Sequence, residues 1–157
     1  MEINNVLLDT NCLIILVIGM VDEFYLRSFS KTKEQKYVDA FEILNNYLNH
    51  EKVVFISNSY IMCELSHNVI ENKDFDKKYS KKFIELLNNL LLVKKLKILE
   101  MPLSKILSHN AVYWLGFTDI SCVQTSKIRT IITFDVELAN QTYQNNRLST
   151  ILLPLNQ

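Results

Sequence analysis

Apolar positions along the chain fall into short runs separated by longer stretches of helical period, and that alternation predicts the fold class. Five runs read as strands: Asn5–Leu8, Val53–Ile56, Leu96–Leu99, Thr130–Thr133 and Thr150–Leu153. Short continuous apolar runs are the pattern of strands buried on both faces. Between them, Tyr37 to Leu48 sets Phe41, Leu44 and Leu48 on one helical face. Asp76 to Val93 sets Tyr79, Phe83, Leu86, Leu87 and Leu90 on one face, with lysines opposite. Strands alternating with helices predict an α/β protein, a three-layer α/β/α domain around a mostly parallel five-stranded sheet. The crossings after the second and third strands hold two helices each. The stretch 19–36 carries the least pattern and reads as a partly helical or mobile excursion.

Composition sharpens this picture only a little. At 157 residues the chain fits a single domain, 1–157, able to bury a sizeable core. Formal net charge is zero, so no overall basic field advertises nucleic acid, although a local patch is still compatible with one. Cys12, Cys63 and Cys122 are an odd set without a CxxC pair and sit in apolar stretches. They read as reduced, buried small residues of a cytoplasmic protein. The run Cys12 to Ile18 is too short to span a bilayer, and no Lys or Arg precedes it as a signal peptide would require. No membrane partner is expected.

One stretch breaks the apolar logic. "VLLDTNCLIILVIG" reads as a buried strand, yet Asp9, Thr10 and Asn11 interrupt it. Burying a carboxylate costs several kcal/mol unless it is paired or meets a cation. Asp9 is not alone in this position. In an open parallel sheet, ligands bind beyond the carboxyl ends of the strands. Asp9 follows strand one, Asp135 follows strand four in "TIITFD", and Asp119 in "GFTDIS" opens a helix with Thr118 as its expected cap. Glu64, in "NSYIMCELSHNV", falls about two turns into the helix after strand two. Singly, each Asp has a structural explanation at a helix start, where the macrodipole favours it. Together they concentrate like charge at one edge, which raises each pKa and destabilises the fold unless a divalent cation binds. An all-oxygen donor set suits Mg2+ or Mn2+. Glu137, two residues past Asp135, is a further acid at the rim, explicable as a first-turn glutamate.

The ordered set resembles the PIN-domain nucleases: "LLDTN" at the first strand, a glutamate in the helix after strand two, "GFTD" opening a later helix, and "TFD" after strand four. The resemblance spans nearly the whole chain. It implies a PIN-like fold in which Asp9, Glu64, Asp119 and Asp135 bind metal and carry catalysis, with Asn11 and Thr133 holding the acidic cluster. It further implies an endoribonuclease using Mg2+ or Mn2+, whose substrate is RNA. Many members are VapC-type toxins, so an antitoxin or other regulatory protein and a homodimer are partners the resemblance allows. Two stretches depart from the pattern: "GFTDISCVQTSKIR" is bulkier and more polar than usual after that Asp, and 19–36 aligns to nothing. A non-cleaving PIN-like module that binds RNA or protein, or a DNA-directed nuclease, is the alternative reading.

Other features carry less. His50, His67 and His109 share no ligand spacing, and His67 reads as a surface residue one turn beyond Glu64. The lysines at 77, 78, 81, 82, 94, 95 and 97 read as the solvated face of an amphipathic helix and its exit. Lys127 and Arg129 are better placed as substrate contacts, given their nearness to Asp119. Trp114, Phe117 and Phe134 are expected in the core. A haloacid-dehalogenase-type phosphatase needs a second Asp where Asn11 stands, and a receiver domain needs an acidic pair by strand one and a later lysine that the sequence lacks.

Overall fold

The computed structural model describes residues 4–28, 34–125, 130–146 and 149–152. Its strands are β1 (Asn4–Leu8), β2 (Val53–Asn58), β3 (Leu96–Leu99), β4 (Thr130–Thr133) and β5 (Ser149–Leu152), close to the runs read from sequence. They pair in parallel in the order β3-β2-β1-β4-β5; β1 to β4 carry described side chains and β5 is defined by its backbone. Val6 pairs with Phe55 on one side and Thr130 on the other, which makes β1 central and explains its unbroken apolar run.

The helices are α1 (Thr10–Val21), α2 (Glu23–Ser28), α3 (Glu34–Asn49), α4 (Ser59–Leu65), α5 (Lys77–Leu92), α6 (Leu103–Leu107), α7 (Phe117–Gln124) and α8 (Val136–Asn146). A π-helical turn, Ser66–Glu71, continues α4, and a 3-10 turn, Asn110–Tyr113, precedes α7. Helix α1 packs on α2, α3 and α5, whereas α7 packs on α6 and α8. The right-handed rule for parallel crossovers assigns these two groups to opposite faces of the sheet, with α4 touching both α1 and α7. The result is a parallel sheet flanked by helices, and chain order reverses at β1, so the crevice between β1 and β4 is the switch point.

Helix α1 is the element the sequence pattern concealed. The run after Asp9 was expected to extend the strand, but Cys12 to Gly19 form a helix buried all round. Such a helix has no polar face, so it lacks the 3.6-residue period by which helices are recognised. Gly19 permits its closest contact: a Cβ there would stand 2.2 Å from the Phe41 ring of α3. The poorly patterned stretch is helical over 19–28 except at Asp22, and from 34 onward; 29–33 lie outside the described residues. Asp22 caps α2 by accepting from the Phe24 amide, and the Tyr79 hydroxyl donates to it at 2.9 Å. Tyr25 stacks on Tyr79 with ring centroids 4.0 Å apart, which ties α2 to α5.

Helix α5 ends in a Schellman turn. The Lys94 amide donates to the Leu91 carbonyl and the Lys95 amide to that of Leu90. This forces Lys94 to φ 59°, a left-handed conformation usually given to glycine. Among the described residues, no helix is long and apolar enough to cross a membrane.

Candidate metal centre

Strand β1 delivers Asp9 to the switch point, where it is buried. Its side chain caps α1: Oδ1 accepts from the Cys12 amide at 2.7 Å. Its Oδ2 accepts from the Thr133 hydroxyl and from the Phe134 amide at 3.3 Å. Burial pushes the Asp9 carboxyl above its ordinary value, and the bonds from Thr133, Cys12 and Phe134 oppose that shift. Thr133 in turn accepts from the Asp135 amide at 2.9 Å, so one hydroxyl links the ends of β1 and β4.

Asp135 lies just past β4 and is exposed, with Oδ1 accepting from the amides of Glu137 and Leu138 at the start of α8. Glu64 sits near the end of α4, exposed on one side, and the Thr10 hydroxyl donates to its Oε2 at 2.7 Å. Asp119 is half-buried in the first turn of α7. Burial, then the charges of Asp135, Glu64, Asp9 and Glu137, push its carboxyl up to about 6. Asp119 thus feels the charges of Asp9, Glu64, Asp135 and Glu137. Among the described residues, no group of three or more His, Cys, Asp or Glu side chains is placed to hold a metal ion.

Two further polar residues support the acids. Thr10, not Asn11, holds an acid; Asn11 is exposed. Buried Asn58 caps α4 by accepting from the Tyr60 and Ile61 amides, and its Nδ2 donates to Ser121 Oγ at 2.9 Å. That bond locks the helix carrying Glu64 to the helix carrying Asp119. An Asn followed by Ser between a strand and a helix is an N-cap signal, so Asn58 could have been found; its distant partner could not.

Other expectations are corrected here. Gly116, not Thr118, is the N-cap of α7, and it makes no side-chain cap bond. Thr118 lies within the first turn, where its carbonyl accepts from Ser121. Trp114 and Phe117 are exposed and only Phe134 is core, while the small cluster nearby in sequence is made of Ile106, Ala111, Leu115 and Ile120. Cys63 is exposed, while Cys12 and Cys122 are buried. Burial and then the Asp9 charge push both buried thiols well above their usual value, which keeps them neutral and poor nucleophiles. His109 is buried but structural, its Nδ1 accepting from the Ala111 amide. His67 is a surface residue beside Glu71. Lys77, Lys78, Lys81, Lys82, Lys94 and Lys97 are exposed, whereas Lys95 donates to the His50 carbonyl. Lys127 and Arg129 lie outside the described residues.

The geometry defines a class: an α/β protein with a parallel sheet flanked by helices. Protein-family models, curated proteins and solved structures return no match to this chain.

Proposed function

We propose that this protein is a metal-dependent nuclease of PIN type, an endoribonuclease hydrolysing RNA phosphodiester bonds. The observation that carries the reading is that Asp119, raised to about 6 first by burial, also feels the charges of Asp9, Glu64, Asp135 and Glu137 from three other elements. A purely structural set of helix caps has no reason to bring like charges together at an energetic cost. The donors fit a hard divalent cation. All are oxygens, and Mg2+ binds through one or two carboxylates while keeping several waters, so it does not require a closed set of acids.

The residues that would hold the ion are Asp9, Glu64, Asp119 and Asp135. Thr133 and Thr10 orient the first two through their hydroxyls. One Asp135 oxygen is engaged by α8 amides, and its other oxygen is available to a ligand. When bound, such a metal supplies a water of lowered pKa and neutralises charge on the phosphodiester. The buried thiols stay protonated and take no part. In this reading a regulatory protein such as an antitoxin is a compatible partner.

The test is cleavage of a mixed structured and single-stranded RNA pool in Mg2+, Mn2+ or EDTA, by the parent and by Asp119→Asn, with a DNA pool alongside. Metal-dependent cleavage lost in the variant upholds the proposal. No cleavage by demonstrably folded protein in either metal overturns it, and cleavage of DNA alone reassigns the substrate.

A further inference from the structure

Asn58 and Ser121 are both 0% exposed, and their neighbours in sequence Ile56, Ile61, Ile120 and Cys122 are buried and apolar. Burying two polar side chains is costly unless each finds a partner, and an apolar pair of similar volume would join two helices as firmly. The polar pair therefore supplies something other than adhesion. Its hydrogen bonds have a direction. Asn58 Oδ1 accepts from the Tyr60 and Ile61 amides at 3.0 and 3.1 Å, and its Nδ2 donates to Ser121 Oγ. Ser121 Oγ lies 2.5 Å from the Thr118 carbonyl and 3.2 Å from Asn58 Oδ1. That Oδ1 already takes two amides, so the hydroxyl proton goes to Thr118. The chain of bonds thus runs from the first turn of α4 to the first turn of α7. Helix α7 needs such a tie, because its N-cap, Gly116, makes no side-chain cap bond. Asp119 sits between Thr118 and Ser121 in that turn. Asp9 and Glu64 are aimed by side-chain hydroxyls, whereas burial and charge act on the Asp119 carboxyl, whose place follows from that of α7.

We propose that Asn58 and Ser121 are positioning residues, which set the offset of Asp119 on α7 from Glu64 on α4 and so govern how tightly a divalent cation is held. The inference rests on the metal-site reading and adds two residues to it that touch neither ion nor substrate. Apolar contact is non-directional and lets packed helices slide, whereas a hydrogen bond weakens steeply away from its line. A slip of one residue along α7 would carry Asp119 about 1.5 Å. Oxygen ligands of Mg2+ stand at about 2.0–2.1 Å in a near-ideal octahedron, so a slip of that size takes an acid out of reach of the ion.

The test is Mn2+ binding by the full chain, read from the paramagnetic resonance of the free ion. Ser121→Ala removes the bridge at one end. Asn58→Ser removes it at the other while keeping a good N-cap for α4, so a lost cap is not mistaken for a lost bridge. Gly19→Ala, which crowds Phe41 between α1 and α3, controls for lost stability alone. Far-UV circular dichroism and a cooperative melt establish that each variant is folded at the temperature of the titration. Both bridge variants should weaken Mn2+ binding about tenfold, the lower end of the effect of losing a partner behind the metal ligands, and Gly19→Ala should bind as the parent does. The double variant should be no weaker than the weaker single, since both changes remove one bond. Mn2+ binding unchanged in the folded bridge variants overturns the positioning role and leaves the metal site standing. Equal weakening by Gly19→Ala, or additive losses in the double variant, overturns it as well. A parent chain that binds no Mn2+ overturns the metal-site reading, and the positioning role with it.

Discussion

Asp119→Asn should stabilise the metal-free protein while removing its response to metal. The Asp119 carboxyl titrates at about 6 against an ordinary 3.8, because burial and four neighbouring acids disfavour its charge. At 1.36 kcal/mol per pH unit the upper limit of that penalty is about 3 kcal/mol. Asp119 is partly solvated, and screening by water lowers the expected figure to about 1–2 kcal/mol. The sign follows from proton binding. Between the two values the folded state holds the proton and the unfolded state does not, so stability falls as pH rises from about 4 to 6. The penalty is complete above that window and absent below it. Asparagine carries no charge at any pH, so its advantage appears only on the alkaline side.

The assay is thermal melting in EDTA across pH 4 to 8. For a chain of this size 1 kcal/mol corresponds to about 2–4 °C, so the variant should melt about 2–8 °C above the parent at pH 8 and level with it at pH 4. Adding Mn2+ should raise the parent's melting point and close the gap, since a ligand bound to the native state stabilises it. An Asp119→Asn protein no more stable than the parent at pH 8 in EDTA would mean that neither burial nor the neighbouring acids penalise the Asp119 charge, and the argument for a metal site would fail.

Three further substitutions probe the frame. Gly19→Ala inserts a methyl into the Phe41 ring and should cost about 1–3 kcal/mol by overpacking, read as a lower urea midpoint. Lys94→Gly relieves a left-handed backbone and should gain about 1 kcal/mol, read as a higher melting temperature without change in any metal response. Thr133→Val removes the hydroxyl that donates to Asp9 and accepts from the Asp135 amide. It should cost about 1–3 kcal/mol and weaken Mn2+-dependent stabilisation, both visible in melts with and without metal.

The strands and amphipathic helices were legible because a parallel sheet and a half-exposed helix imprint distinct periods on the chain. Helix α5 is the clear case, with Phe83 and Leu90 buried and lysines opposite. Helix α1 was not legible, because a helix buried all round leaves no period to read. Asp9, Asp119 and Asp135 were legible at a strand end or helix start and Glu64 in the helix after the second strand, and the charges of the other three bear on Asp119.

The supports of the site follow a different rule. Thr10 reaches Glu64 across 54 positions of sequence, and Asn58 reaches Ser121 across 63. Nothing local distinguishes these polar residues from ordinary caps, because their partners are chosen by the sheet order rather than by spacing. The same holds for the exposed aromatics. An aromatic in an apolar context reads as core, yet Trp114 and Phe117 stand exposed while Ile106, Ala111, Leu115 and Ile120 make the small cluster. Charge positions can thus be read from a chain one residue at a time. The hydrogen bonds that aim those charges, and the surfaces left over once the core is full, arise only when the elements meet.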